Sequence, residues 1–330
     1  MKEYKRFFIK TIITFLIMII LIPTCLIILG DCFVGKYTYS KAAAHIHYWV
    51  ERKMDRAEVL NSQNGNKIVF LSGSSLMYGL NSKYAVEKTG LPVLNMGVHA
   101  AFGSYIFKLA KKVLRDGDIV VIAVEAPFYE VEKGFNIQGP FAEYIISYDN
   151  DYYRKSSIQK KVGFSMFLIQ QFLKNPKIVY EKDLVDDSYK VQVNEYGDFV
   201  GNIGTAELFK NTAQPQTITE NIPKNYKNLE LYNFIKYCRE HDITVYAIMP
   251  IMYHSKEFTI DEEVAYNNIK EFYKDLGVQF IGDMKSGCLY DVNLFHDTSA
   301  HTNTEGAKIR TDWVIDNVLS INEMQDINLR

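Results

Sequence analysis

The sequence predicts an α/β fold built on a parallel sheet. Short apolar runs suited to buried strands recur along the chain at Lys67–Leu71, Leu91–Asn95, Ile119–Val124, Ile243–Met249 and Val278–Ile281. The clearest, Ile119–Val124, is β-branched and unbroken, as strands covered on both faces are. Between the runs lie stretches of helical periodicity, Ser104–Leu114, Leu229–His241, Glu262–Leu276 and a closing Gly306–Ile321. Strands alternating with helices of this length make βαβ units.

The N-terminus stands apart. Thr11–Gly30 is a run of 20 residues without a charge, long enough to cross a bilayer as one helix. Pro23 within it is tolerable in a membrane helix. Lys2, Lys5, Arg6 and Lys10 precede the run, so the N-terminus is expected in the cytoplasm and the rest of the chain outside a cell membrane. A cleaved signal peptide is the competing reading. Against it, the run is long for a signal peptide and no Ala-x-Ala type of cleavage site follows Gly30. The expected organisation is therefore residues 1–36 as cytoplasmic terminus and single-pass anchor, residues 37–66 as a juxtamembrane helix and linker, and residues 67–330 as the α/β domain. Residues 129–228 break the strand–helix rhythm and read as an insertion between the third and fourth strands. That insertion is rich in tyrosine (Tyr144, Tyr148, Tyr152, Tyr153, Tyr180, Tyr189, Tyr196), an aromatic composition that suits a lid or a sugar-binding face.

Composition narrows the function classes. The net charge is −2, with five basic and two acidic side chains in residues 1–36. No clustered basic face is present, so a nucleic-acid partner is not expected. Of the four cysteines, Cys25 and Cys32 belong to the anchor region, and Cys238 and Cys288 are expected to be buried, unpaired thiols. No zinc-type spacing occurs, and neither a metal nor an organic cofactor is implied. His45 and His47 read as surface residues near the membrane.

In open parallel sheets, ligands bind beyond the carboxyl ends of the strands. There the sequence places Gly73-Ser74-Ser75 after the first strand, Asn95 to His99 after the second, Glu125 after the third, Pro250 to His254 after the fourth, and His296, Asp297 and His301 after the last. A serine hydroxyl needs a base within hydrogen-bond reach to act as a nucleophile. The expected triad is Ser75 as nucleophile, His301 as base and Asp297, four residues earlier, as the acid that orients it. Backbone N–H groups of Ser75 and of the Gly97–Ala100 loop would form an oxyanion hole, with Gly73, Ser74, Asn95, His99 and Glu125 lining the site. His99 and His254 are both candidates to line it, and Glu125 has the bland alternative of a buried pairing role.

With those residues in place, the pattern resembles the SGNH (GDSL-like) hydrolase superfamily over about residues 60–125 and 229–320. Gly73-Ser74-Ser75-Leu76-Met77-Tyr78-Gly79 is similar to the family's first block, Gly-Asp-Ser-Leu-x-x-Gly. Asp297, His301, Asn303 and Gly306 are similar to its last. The second block usually has a glycine where this chain has Ala100. At the third block, where the family usually offers Gly-x-Asn-Asp, the chain reads Glu125-Ala126-Pro127-Phe128. The N-terminal segment and the Gly-Ser-Ser turn resemble the membrane-anchored branch of alginate-type O-acetylation proteins and the teichoic acid D-alanyl transfer protein. The resemblance implies a three-layer α/β/α, flavodoxin-like domain. It also implies acyl-ester chemistry, O-acyl transfer or deacylation, on a cell-surface polysaccharide or teichoic-type polymer, with acyl groups delivered by a partner membrane acyl-donor protein. Two other readings stay open: a non-catalytic glycan-binding or assembly protein of the same fold, and a plain esterase or lipase. A scaffold that recruits partners through its anchor is a third and weaker one.

Overall fold

The computed structural model describes residues 2–33, 41–63, 65–129, 139–174, 190, 192–218 and 226–329. Tyr180, Tyr189 and residues 37–40 of the expected juxtamembrane helix lie outside them. The chain divides into two compact units: Met1–His47 with Lys133–Leu184, and Tyr48–Glu132 with Val185–Arg330.

The described residues of the first unit are mainly helical. α1 (Lys2–Phe33) contains Glu3–Cys32, a segment long and apolar enough to cross a membrane. α2 (Lys41–Ser62) begins in this unit and runs on into the second. The first part of the expected insertion also falls in this unit. Among the described residues it is helical, as α3 (Gly139–Tyr148), α4 (Asn150–Lys155) and α5 (Ile158–Lys174). α4 is capped by the Asp149 side chain, which accepts from the Tyr152 N–H. Of the tyrosines here, Tyr144 and Tyr153 are buried, with Tyr153 packed on Phe164, and Tyr148 and Tyr152 are half-buried. A tyrosine in a core cannot present its face to a sugar ring. His45 and His47, expected at the surface, are half-buried, and His47 stacks on Tyr148 with ring centroids 3.9 Å apart.

The second unit holds a five-stranded, fully parallel sheet. Its strands are β1 (Ile68–Leu71), β2 (Val93–Asn95), β3 (Ile119–Ile122), β4 (Thr244–Ile248) and β6 (Gln279–Ile281), in the spatial order β2-β1-β3-β4-β6. Each falls inside its sequence-predicted run, one or two residues short at the ends. Every residue of β1 and β3 is buried, so helices must cover both faces. One face, with Ile68, Phe70, Ile119, Val121, Tyr246 and Ile248, packs against Leu76, Ala85, Val314, Val318 and Met324. These come from α6 (Ser74–Gly79), α7 (Ser82–Thr89), α12 (Thr304–Val314) and the segment after it. Residues of opposite parity, such as Val69, Leu71 and Ile122, face the other way. On that side Phe107 of α8 (Tyr105–Val113) stacks on Phe234 of α10 (Glu230–Glu240), 4.9 Å between centroids. α11 (Ile260–Asp275) opens with a capping box, Thr259 with Glu262. α9 (Glu207–Thr212) lies in the segment between β3 and β4.

Two small sheets were not anticipated. β5 (Met252–Tyr253) pairs parallel with β7 (Cys288–Leu289), and β8 (Phe295–Thr298) pairs antiparallel with β9 (His301–Thr302). Runs this short carry too little periodicity to read from sequence. Cys238 and Cys288 are buried free thiols, and burial pushes each up to about 12.

At the amino end of the sheet, Lys67 and Asp118 form a buried ion pair at 2.6 Å. Asp118 also accepts from the Lys67 and Arg115 backbone N–H groups at 3.0 and 2.8 Å, fixing the entry of β1 against that of β3. Removing one partner of such a pair strands the other charge in the interior. Asp118→Ala should therefore lower stability by about 3–5 kcal/mol in chemical denaturation of the full-length protein in detergent. Lys67→Met, which strands the buried Asp118 carboxylate, should cost a similar amount.

Candidate active site

The site is built where β1 hands over to α6. β1 and β3 are paired with Leu71 opposite Ile122, so the residues just beyond them lie level at the carboxyl edge. Glu125, beyond β3, is buried, and its carboxylate reaches across to the β1–α6 turn. It accepts the Gly73 N–H at 2.9 Å, the Ser75 N–H at 2.9 Å and the Ser72 hydroxyl at 3.2 Å. Charge-assisted bonds from donors at a helix start suit a carboxylate. The approach is so close that a Cβ on Gly73 would lie 2.6 Å from a Glu125 oxygen, which explains the glycine.

This clamp decides which serine faces outward. Ser75 is fully buried, with Oγ 3.1 Å from Ser72 Oγ. It does not meet His301, which corrects the expected nucleophile. Ser74, half-exposed at the first position of α6, has its Oγ 2.8 Å from His301 Nε2. Successive side chains on a helix diverge by about 100°. With Ser75 turned under the sheet edge, Ser74 points out of it.

His301 and Asp297 sit on the β8–β9 hairpin. The Thr298 hydroxyl accepts the His301 N–H at 3.1 Å and shapes the turn. Asp297 Oδ1 lies 2.8 Å from His301 Nδ1. A proton on Nδ1, donated to the carboxylate, leaves Nε2 free to accept from Ser74. The hydrogen bond from His301 is the main cause holding the Asp297 carboxyl below its ordinary value, with burial opposing. The other wall is Tyr78, whose ring stacks on the imidazole with centroids 4.2 Å apart and planes 9° apart. Burial pushes the Tyr78 hydroxyl up, and nearby Asp297 adds to that. β9 is tied to α6 by the Thr302 hydroxyl, which donates to the Tyr78 carbonyl at 2.7 Å.

The other expected residues divide. Asn95 does not line the site: it is fully buried, donates to the Leu76 carbonyl and to Asp198, and accepts the Gly97 N–H at 2.8 Å. Gly97 is a close-approach glycine, since a Cβ there would lie 2.6 Å from the Met77 nitrogen. His99 caps the short turn Ala100–Phe102 by accepting the Ala101 N–H. Its pKa is lowered by burial and then by the charge of His301. Ala100 is half-exposed beside it. The expected oxyanion hole is also corrected. The Ser75 N–H serves Glu125, the Gly97 N–H serves Asn95, and the Val98 N–H serves the Ser72 carbonyl at 3.3 Å. The Ser74 N–H stands at the helix start, where no intrahelical acceptor exists. His254 is buried against Glu262 at 3.2 Å and stacks on Phe258, so it lines nothing. His296 contacts the Gly204 carbonyl. Asn303 caps α12 by accepting the Glu305 and Gly306 N–H groups. Among the described residues, no group of three or more His, Cys, Asp or Glu side chains could hold a metal ion.

Sequence reasoning missed Tyr78, Thr298 and Asp198. Tyr78 sits four residues after Ser74, on the same helical face, and that spacing is a signal that could have found it. Asp198 had no such signal. No protein-family model matches the sequence, and no curated protein matches it significantly.

Glu125→Ala strips the Gly73 and Ser75 N–H groups of their acceptor, at about 1–3 kcal/mol each, so it should lower stability by about 2 kcal/mol or more in chemical denaturation. Glu125→Gln, which keeps a carbonyl acceptor, should fall between. A second expectation concerns pH. A depressed carboxyl stabilises above the unfolded Asp value near about 3.9 and stops doing so as pH falls through the native value. The stability difference between the protein and Asp297→Asn should hold steady above about pH 5 and close below it, read from denaturation curves at stepped pH.

Proposed function

We propose that the protein is an SGNH-like serine acyl-transfer or acyl-ester hydrolysing enzyme, with Ser74 as nucleophile, His301 as general base and Asp297 as its orienting acid. The observation that carries this reading is the continuous chain Ser74 Oγ–His301 Nε2 and His301 Nδ1–Asp297 Oδ1, both links at 2.8 Å, at the carboxyl edge of a parallel sheet. The strand order β2-β1-β3-β4-β6 supports a flavodoxin-like, three-layer frame, because it reads 2-1-3-4-5 once the short β5 is set aside. Ser74 Oγ bonds to the acyl carbon as His301 Nε2 takes its proton. The leaving alkoxide departs with that proton, and an acceptor hydroxyl or water then repeats the sequence in reverse. The Ser74 N–H is placed to meet the developing oxyanion.

The substrate is an ester-bearing cell-surface polysaccharide or teichoic-type polymer. The open site supports this: the Asp297 side chain is 47% exposed and that of His301 is 19% exposed, as an extended chain passing over the edge would need. α1 serves as an uncleaved single-pass anchor that keeps the N-terminus cytoplasmic and the α/β unit outside. Gly30, near its C-terminal end, is buried where a Cβ would strike Ser165 and Tyr153, and that packing supports retention of α1 in the mature protein.

Turnover of p-nitrophenyl acetate by the full-length protein tests the assignment. Ser74→Ala and His301→Ala should each lose about 10²-fold or more, the scale of acid–base catalysis, while Ser75→Ala keeps measurable turnover. Unchanged turnover in Ser74→Ala would remove the nucleophile from this scheme.

A further inference from the structure

We infer that α5 is a second membrane-contacting element, with its C-terminal half, Met166–Leu173, inserted among the lipids of the leaflet that holds the C-terminal end of α1. The inference rests on the reading of α1 as a membrane span. Residues 162–173 of α5 form a run of 12 without a charge, VGFSMFLIQQFL, flanked by Lys160 and Lys161 before and Lys174 after. An apolar segment of that length is a buried core helix or an interfacial one. A core helix would hide its apolar side chains, yet Leu173 is 74% exposed and Met166 45%. These two, with Gln170, repeat at i, i+4 and i+7 and share one face.

The neighbouring span identifies what covers that face. Gly30 of α1, Tyr153 of α4 and Ser165 of α5 meet at one point, and the Tyr153 hydroxyl lies 3.3 Å from Ser165 Oγ. The N-terminal half of α5 packs on α3 and α4, through Phe164 against Phe141, Tyr152 and Tyr153. α1 also packs against α5. Its half-buried stripe runs back from Gly30 through Ile27, Leu26 and Pro23, toward the middle of the span. The C-terminal half of α5 is the part left to cover that stripe. From Ser165 to Leu173 a helix advances about 12 Å, within the roughly 15 Å of one leaflet's hydrocarbon. The exposed face of Met166 and Leu173 then meets acyl chains.

Site-directed spin labelling in lipid nanodiscs tests this on the full-length protein. Cys25→Ser and Cys32→Ser remove the exposed thiols, leaving the buried Cys238 and Cys288. Single labels are then placed at Leu173, at Phe15 in the span and at the exposed Gln159. The expected result is an oxygen-to-nickel-chelate accessibility ratio at Leu173 similar to that at Phe15 and several-fold above that at Gln159. A lipid-like ratio at Phe15 with a water-like ratio at Leu173 would overturn the inference and leave the span intact. Water-like ratios at both would remove the span and the inference together. Low access of both probes at Leu173 would mean that protein covers the face, which also overturns it.

Discussion

One buried carboxylate organises the candidate site. Glu125 sits at the end of β3 and holds the start of α6 through two backbone N–H groups and one hydroxyl. A buried charge survives only where hydrogen bonds replace its lost hydration, and here the replacement comes from the turn itself. Several features follow from that one constraint. Residue 73 must be glycine, because the carboxylate occupies the space a side chain would need. Ser75 is drawn inward and its N–H is committed, which leaves Ser74 to face the imidazole. The Glu125 carboxylate is an acceptor, and it takes up the Gly73 and Ser75 N–H groups at the helix start.

The rest of the site is held by a second network that ties the β3–β4 connection to the sheet. Asp198 accepts from the Ser82 N–H and hydroxyl, each at 2.7 Å, and from Asn95 at 3.1 Å. Lys53 of α2 donates to the Asn95 and Gly197 carbonyls at 3.0 and 2.7 Å, and burial lowers its pKa to about 8. Aromatic contacts run in parallel: Trp49 against Phe199, Phe199 against Tyr78, and Tyr78 on His301. Residues 192–202 thus brace the wall of the imidazole through Asp198, Gly197 and Phe199.

Much of the framework was legible because it rests on long, strongly patterned segments. The five main strands and the crossover helices announce themselves by apolar runs and periodicity, and the position of Asp297 and His301 near the sheet edge follows from chain order. The choice between Ser74 and Ser75 was not legible. It turns on a rotation of about 100° at a helix start, set by a carboxylate 50 residues away. The role of Asn95 was hidden for a similar reason, since its partner Asp198 lies 103 positions along the chain. The β8–β9 hairpin that presents His301 is too short to show a period. The burial of Tyr144 and Tyr153 was not legible either, because composition does not tell a core aromatic from a surface one.

The most direct test of Ser74 as the nucleophile is the site of covalent capture. A fluorophosphonate reacted with the full-length protein, followed by tandem mass spectrometry of the peptide spanning Ser72 to Ser75, locates the adduct on one hydroxyl. The phosphonyl group is expected on Ser74, with labelling lost in His301→Ala. An adduct on Ser75, or labelling that persists without His301, would contradict the geometry on which the proposed chemistry rests.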